Sequence, residues 1–171
     1  VTTDNLFITD GLWADDTYIP AYLRRHPFIF IDTGEGNDFL LGIDEDSPRI
    51  ARGGDEGQPL FVDGKAADIV QQALDFCGQY TREHAQTQTF SKALLDADLL
   101  VERNATIRLP DGREFNLNGF FVVDVEKFVA LPEATVVEWH RSGWLALIHQ
   151  HLMSLGRFND LTRRQAERDA A

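Results

Sequence analysis

The chain has 171 residues, ordinary hydrophobic content at 43 % and a net charge of −12 from 16 basic and 28 acidic side chains. That is enough chain for a core of its own and too acidic for a nucleic-acid backbone or an anionic membrane surface as the main partner. One cysteine, Cys77, excludes an intramolecular disulfide and a cysteine-based zinc site, and no apolar run is long enough to cross a bilayer.

Residues 5–32 are the richest stretch in aromatics, and Asp10-Gly11 within them is a turn signal between Leu6-Phe7 and Leu12-Trp13. Pro20 suits a first helical turn and Pro27 ends one, so a short helix is expected over about 20–26. Tyr18 and Tyr22 would then share a face. Phe28 to Ile31 is apolar on both faces of a strand, which suits a buried central position. With Asp38 to Ile43 it predicts a hairpin over 28–43, followed by a polar, exposed loop from Asp44 to Pro59.

The spacing of Ile69, Ala73, Phe76, Cys77 and Tyr80 predicts a helix over 65–84. A polar break follows at Thr81 to Thr89, then a shorter amphipathic segment through Phe90, Leu94 and Leu95, with Thr89 as its cap. Alternation over 105–109 and 113–117, around Pro110-Asp111-Gly112, predicts a second hairpin. Phe120 to Val123 reads as a third strand, and Asp124 can cap a short helix ending before Pro132.

Glu133 to Leu155 reads as helix broken at Ser142-Gly143, its apolar face formed by Val136, Val137, Trp144, Leu145, Ile148, Leu152 and Leu155. Gly156 suits the residue after a helix end, Asn159 or Asp160 a cap for a last helix, and Arg163 to Ala171 an exposed, frayed end. The order predicts a single α+β domain over 1–171. In it, both hairpins and strand 120–123 join one antiparallel sheet covered by helices near 66–84 and 134–155.

Catalytic patterns are sparse. His149 and His151 would lie roughly 200° apart round a helix, and His140 and His151 roughly 16 Å apart along it, so no metal is expected. The acidic run from Asp44 does not fit a calcium loop, because Arg49 stands where glycine is needed. No phosphate-cradling glycine loop or serine nucleophile elbow occurs, and no cofactor is expected. Cys77 on an apolar helix face reads as a buried thiol rather than a nucleophile.

Arg24 and Arg25 beside aromatics, in so acidic a chain, are the candidate site for an acidic ligand or partner, with Trp13, Tyr18 and Tyr22 as a stacking surface. The competing reading is internal ion pairing, with Asp15, Asp16 or another acid, and core packing of the aromatics. Consecutive helical residues point about 100° apart. One arginine is therefore expected to be an inward anchor needing a carboxylate or several carbonyls, and the other to stay available.

Asn5-Leu6-Phe7, Asp10-Gly11-x-Trp13 and Tyr18-Ile19-Pro20-Ala21-Tyr22-Leu23-Arg24-Arg25-His26-Pro27-Phe28 together resemble the signature of the SapC-like bacterial proteins. The resemblance continues through Pro59-Leu60-Phe61, Thr89-Phe90 to Leu94, Gly119-Phe120 with Val123-Asp124, and Gly143-Trp144 to Ser154-Leu155. Members usually carry further residues ahead of this signature, so it leaves open a segment before Val1. The family name implies a link to surface layers, and relatives tend to be encoded beside outer-membrane receptors, flavin-dependent halogenase-like proteins and cupin-like hydroxylases.

No catalytic residues carry over with the resemblance. It implies a non-catalytic accessory or binding protein of a bacterial envelope or nutrient-uptake system, with a protein partner. The alternative is a small enzyme, a transferase or modification partner, using Arg24 and Arg25 on an acidic substrate. The membrane permeases that share the name are excluded by hydropathy. An N-terminus unlike a signal peptide suggests the cytoplasm, with envelope association and an upstream export signal left open. Oligomeric state is not legible.

Overall fold

The computed structural model describes residues 5–34, 39–53, 56–108 and 112–169, without the side chains of Asp32, Ile107 and Phe115. The fold is α+β, built of helices and antiparallel hairpins. The chain groups into two compact units: Tyr18–Gln88, here the middle unit, and Val1–Thr17 with Thr89–Ala171, here the flanking unit.

In the middle unit, α1 (Ala21–Arg24) leads into the antiparallel pair β3 (Phe28–Asp32) and β4 (Phe39–Ile43). Pro20 is extended, at φ −52° and ψ 137°, and its carbonyl accepts from the Leu23 and Arg24 amides. Pro27, with no N–H, stops the turn as expected. Phe28, Phe30, Leu41 and Ile43 share one face by register, and Phe30 stacks on Phe39 at 5.5 Å. Strand β3 is not central, however. Its sheet has two strands, and Ile29, Ile31 and Leu40 on the other face are exposed. A second small hairpin, β5 (Phe61–Val62) and β6 (Lys65–Ala66), turns at Asp63 and Gly64, both at positive φ.

Helix α2 (Asp68–Asp96) runs for 29 residues; 68–88 belong to the middle unit and 89–96 to the flanking unit. The expected break at 81–89 is absent. The polar stretch contains no proline or glycine and carries its own i,i+4 bonds, Thr81 to the Cys77 carbonyl, Gln79 to Glu83 and Thr87 to the Glu83 carbonyl. An all-polar turn can therefore stay helical without burying a face. Thr89 lies inside the helix rather than capping it.

In the flanking unit, β1 (Ile8–Thr9) and β2 (Leu12–Trp13) form a hairpin through Asp10 and Gly11, both left-handed. The long hairpin is β7 (Leu100–Arg108) with β8 (Glu114–Val123), irregular at Arg103/Ala105. The expected third strand, 120–123, is the continuation of β8 past Gly119, not a separate strand. The turn residues 109–111 lie outside the described residues.

The expected single sheet is thus replaced, among the described residues, by four two-stranded ones. In the β3–β4 pair the face of Phe28, Phe30, Leu41 and Ile43 is half-buried and the other exposed, whereas β8 buries Val122 and Val123 on opposite faces.

Asp124 caps α3 (Val125–Val129), accepting from the Glu126 and Lys127 amides at 2.9 and 3.1 Å. Helices α4 (Glu133–Arg141) and α5 (Trp144–Ser154) part at Gly143, φ 75°, as the sequence predicts. A 3₁₀ turn, Leu155–Arg157, then carries the chain through Gly156 into α6 (Phe158–Asp169), so Gly156 ends nothing and neither Asn159 nor Asp160 is a cap.

The expected frayed end is ordered helix to Asp169. Arg164 lies over the Phe7 ring, Arg168 donates to the Asn5 carbonyl, and Arg113 pairs with Asp169. The core of this unit is Leu94, Leu99, Val123, Trp139 and Ile148, with Trp144 edge-on to Trp139 at 5.7 Å. Trp139, absent from the face read from the sequence, is buried, while Val137 on that face is exposed.

Candidate functional site: an arginine cleft in the middle unit

Four of the five candidate residues lie in the middle unit, and the aromatic faces of α2 organise two of them. Phe76, Tyr80 and His84 follow one another at i, i+4 and i+8, and Tyr80 stacks on His84 at 6.2 Å with rings 9° apart. The Arg24 guanidinium sits over both Tyr18 and Phe76, at 5.2 and 5.3 Å from the ring centres. That of Arg25 sits over Tyr22 and Tyr80, at 4.2 and 5.1 Å. Each arginine is thus held by one ring from the 18–22 segment and one from α2. Trp13 is half-buried in β2 of the flanking unit.

The expected division between an inward and an outward arginine is present in burial. Arg25 is half-buried and Arg24 exposed. The predicted anchor is different: among the described residues of the middle unit, no carboxylate forms an ion pair with either. Ring faces take that role. A guanidinium is weakly hydrated and planar, so it can lose water from its faces against an aromatic quadrupole at little cost. A guanidinium over a ring keeps N–H groups that can still donate hydrogen bonds. Arg24 gives one of them to the Tyr18 hydroxyl at 3.3 Å. Arg25 gives none among the described residues.

A third arginine arrives from the acidic loop. Asp44 folds that loop by accepting from the Asp46 amide at 3.2 Å, buried Ser47 accepts from the Arg49 amide at 3.2 Å, and Arg49 then donates to the His26 carbonyl at 3.2 Å. The expectation of an exposed loop holds at Pro48, Arg49 and Ala51 and fails at Ser47, which is buried, and Ile50, which is half-buried. Composition hides this, because an Asx turn and a buried serine look like any polar loop residues. His26 itself has both ring nitrogens shut off from solvent with no hydrogen-bond partner, and Asp44 stands 3.6 Å from Nε2.

Arg24, Arg25, His26 and Arg49 line a cavity of about 550 Å³. Arg24, Arg25, Arg49 and Glu56 supply its charges, while Ile69, Ala73, Phe76 and Cys77 present the apolar face of α2 to it. Cys77 is buried at 2 % exposure. Burial pushes its thiol up from the ordinary range, and the nearby Arg25 charge draws it only partly back. No three His, Cys, Asp or Glu side chains converge among the described residues. His149 and His151 do part company as their spacing requires, His149 edge-on to Phe128 and His151 accepting from the Val123 amide at 3.1 Å. No helix among the described residues is long and apolar enough to cross a membrane.

No curated protein and no solved structure matches this chain. A family model does: that of SapC matches residues 2–161, which include the whole arginine cleft and most of both units. The chain belongs to the SapC family.

Proposed function

We propose that this SapC protein is a non-catalytic binding protein, an accessory of a bacterial envelope or nutrient-uptake system, that engages an acidic group through the cleft formed by Arg24, Arg25 and Arg49. One observation carries the reading: both guanidiniums lie over aromatic rings and line the cavity, and among the described residues of their unit neither has a carboxylate partner. In a protein of net charge −12, two adjacent arginines with no carboxylate partner among the described residues of their unit have a purpose if an anion completes them. The envelope or uptake setting rests on the family. Against an enzyme stands the one thiol at the cavity, which burial moves away from the thiolate form a nucleophile needs.

The test is NMR of the arginine Nε–H resonances on the full chain, titrated with acetate and with inorganic phosphate. Saturable movement of the Arg24 and Arg25 signals is expected with at least one anion. If neither anion moves them, the cleft does not take acidic groups and the reading fails.

A further inference from the structure

The cavity is far larger than the acidic group its arginines would hold. A carboxylate against Arg25 leaves most of the roughly 550 Å³ empty. Much of the remaining wall is apolar: a stripe of α2, Ile69, Ala73 and Phe76 at i, i+4 and i+7, together with Phe28, Ile50 and Leu60, while Gln58 and Gln72 add neutral polar groups. The donor supply is also limited. Arg24 spends an N–H on Tyr18 and Arg49 spends one on the His26 carbonyl, while Arg25 keeps its planar fork unengaged among the described residues. One free planar fork matches a planar carboxylate in a bidentate pair; a phosphate offers more acceptor oxygens than that fork can satisfy. Glu56 on the same lining further disfavours a second negative charge in the ligand.

We infer that the cavity binds a small monocarboxylic acid with an apolar body, its carboxylate on the edge of Arg25 and its body along Ile69, Ala73 and Phe76. This rests on the acid-binding role of the cleft and adds the chemical class of what occupies it. The two groups need each other. An open cationic cleft alone holds a carboxylate weakly because water competes for both partners. Apolar burial adds roughly fourfold in affinity per methylene removed from water.

Isothermal titration of the full chain with octanoate, acetate, inorganic phosphate and octan-1-ol tests this. Octanoate is expected to bind at least about a hundredfold more tightly than acetate, given six further methylenes of which part enter the cavity. It should also outbind phosphate, and octanol by about tenfold, the worth of one charge-assisted pair. Arg25→Ala should bring octanoate down to the octanol level. Arg25→Lys, which keeps the charge and loses the fork, should fall between. Ala73→Phe should fill the apolar wall and weaken octanoate about tenfold while sparing acetate. Thermal melts of each variant separate lost binding from lost folding.

Acetate binding as tightly as octanoate, and depending on Arg25, would overturn the apolar body and leave the acid-binding cleft standing. Phosphate binding more tightly than octanoate would overturn the carboxylate in the same way. Equal binding of octanoate and octanol, indifferent to both Arg25 variants, would remove the acid-binding cleft as well. Absence of octanoate binding overturns the inference outright, and the acetate and phosphate NMR titrations then decide the cleft separately.

Discussion

The two units are stabilised differently. The flanking unit closes on itself: Leu99 and Ile148 are fully shut from solvent, and Trp139 and Trp144 pack edge to face above them. The middle unit has few fully buried side chains, Val70, Cys77 and Ser47 among them, and spends its aromatics on guanidiniums around a cavity. A filled apolar interior gains stability from every methyl group it hides. A cavity lined with cations forgoes that gain. The contrast is measurable, because all three tryptophans lie in the flanking unit and all three tyrosines in the middle one. Tryptophan fluorescence and tyrosine near-UV circular dichroism therefore report on separate units.

The largest effect is expected in the filled interior. Ile148→Ala should cost about 2–5 kcal/mol, read as a lowered urea midpoint in tryptophan fluorescence. A loss under about 1 kcal/mol would mean that this interior collapses around the gap and is no tighter than the middle unit.

Next comes the arginine pair. Arg25→Ala removes a half-buried cation from two rings and should cost about 1–2 kcal/mol in a tyrosine-monitored melt, whereas exposed Arg24→Ala should cost about 0.5–1 kcal/mol. Equal losses would erase the division between anchor and available arginine.

Back in the flanking unit, Asp124→Ala strips two amides of their cap and should cost about 1 kcal/mol. Asp124→Asn, which can still accept, should restore most of it.

A smaller effect is pH-dependent and belongs to the middle unit. The folded-state pKa of Cys77 is raised above its unfolded value, so the proton is held more tightly in the folded protein. The resulting stabilisation is complete below the ordinary thiol value, about 8.5, and is lost as pH rises through the higher folded value. Cys77→Ser should flatten the alkaline decline of the tyrosine-monitored melt. An unchanged slope would mean the thiol plays no part in it. Smallest of all, Lys92→Ala breaks an exposed i,i+4 pair with Asp96 and should cost about 0.3–0.5 kcal/mol by urea denaturation, within the noise of the other changes.

Local chemistry was legible where a residue's own backbone decides the outcome. Pro27, Asp10-Gly11, Asp124 and Gly143 act through a missing N–H, positive φ or a side-chain cap, and each lies where the sequence puts it. The α+β class followed from the same signals. Arg24, Arg25, Tyr18 and Tyr22 could be chosen because two adjacent arginines beside aromatics stand out in an acidic chain. The α2 faces of Phe76 and Tyr80 that hold them were visible only as helix periodicity, which cannot tell a core ring from a platform for a cation. Arg49 was missed because the Asx turn that delivers it has no signature beyond polarity.

By itself, then, the sequence determined the Asp10-Gly11 turn, the stop at Pro27, the Asp124 cap and the break at Gly143, since these depend on neighbours within a few residues. Tertiary structure alone decided that the hairpins stay separate two-stranded sheets among the described residues, that 158–169 is held by contacts to Asn5 and Phe7, and that three arginines line one cavity. Those outcomes depend on partners far along the chain. Apolar pattern says that a face will be covered, but not by what, because burial is nearly indifferent to the identity of the surface that provides it.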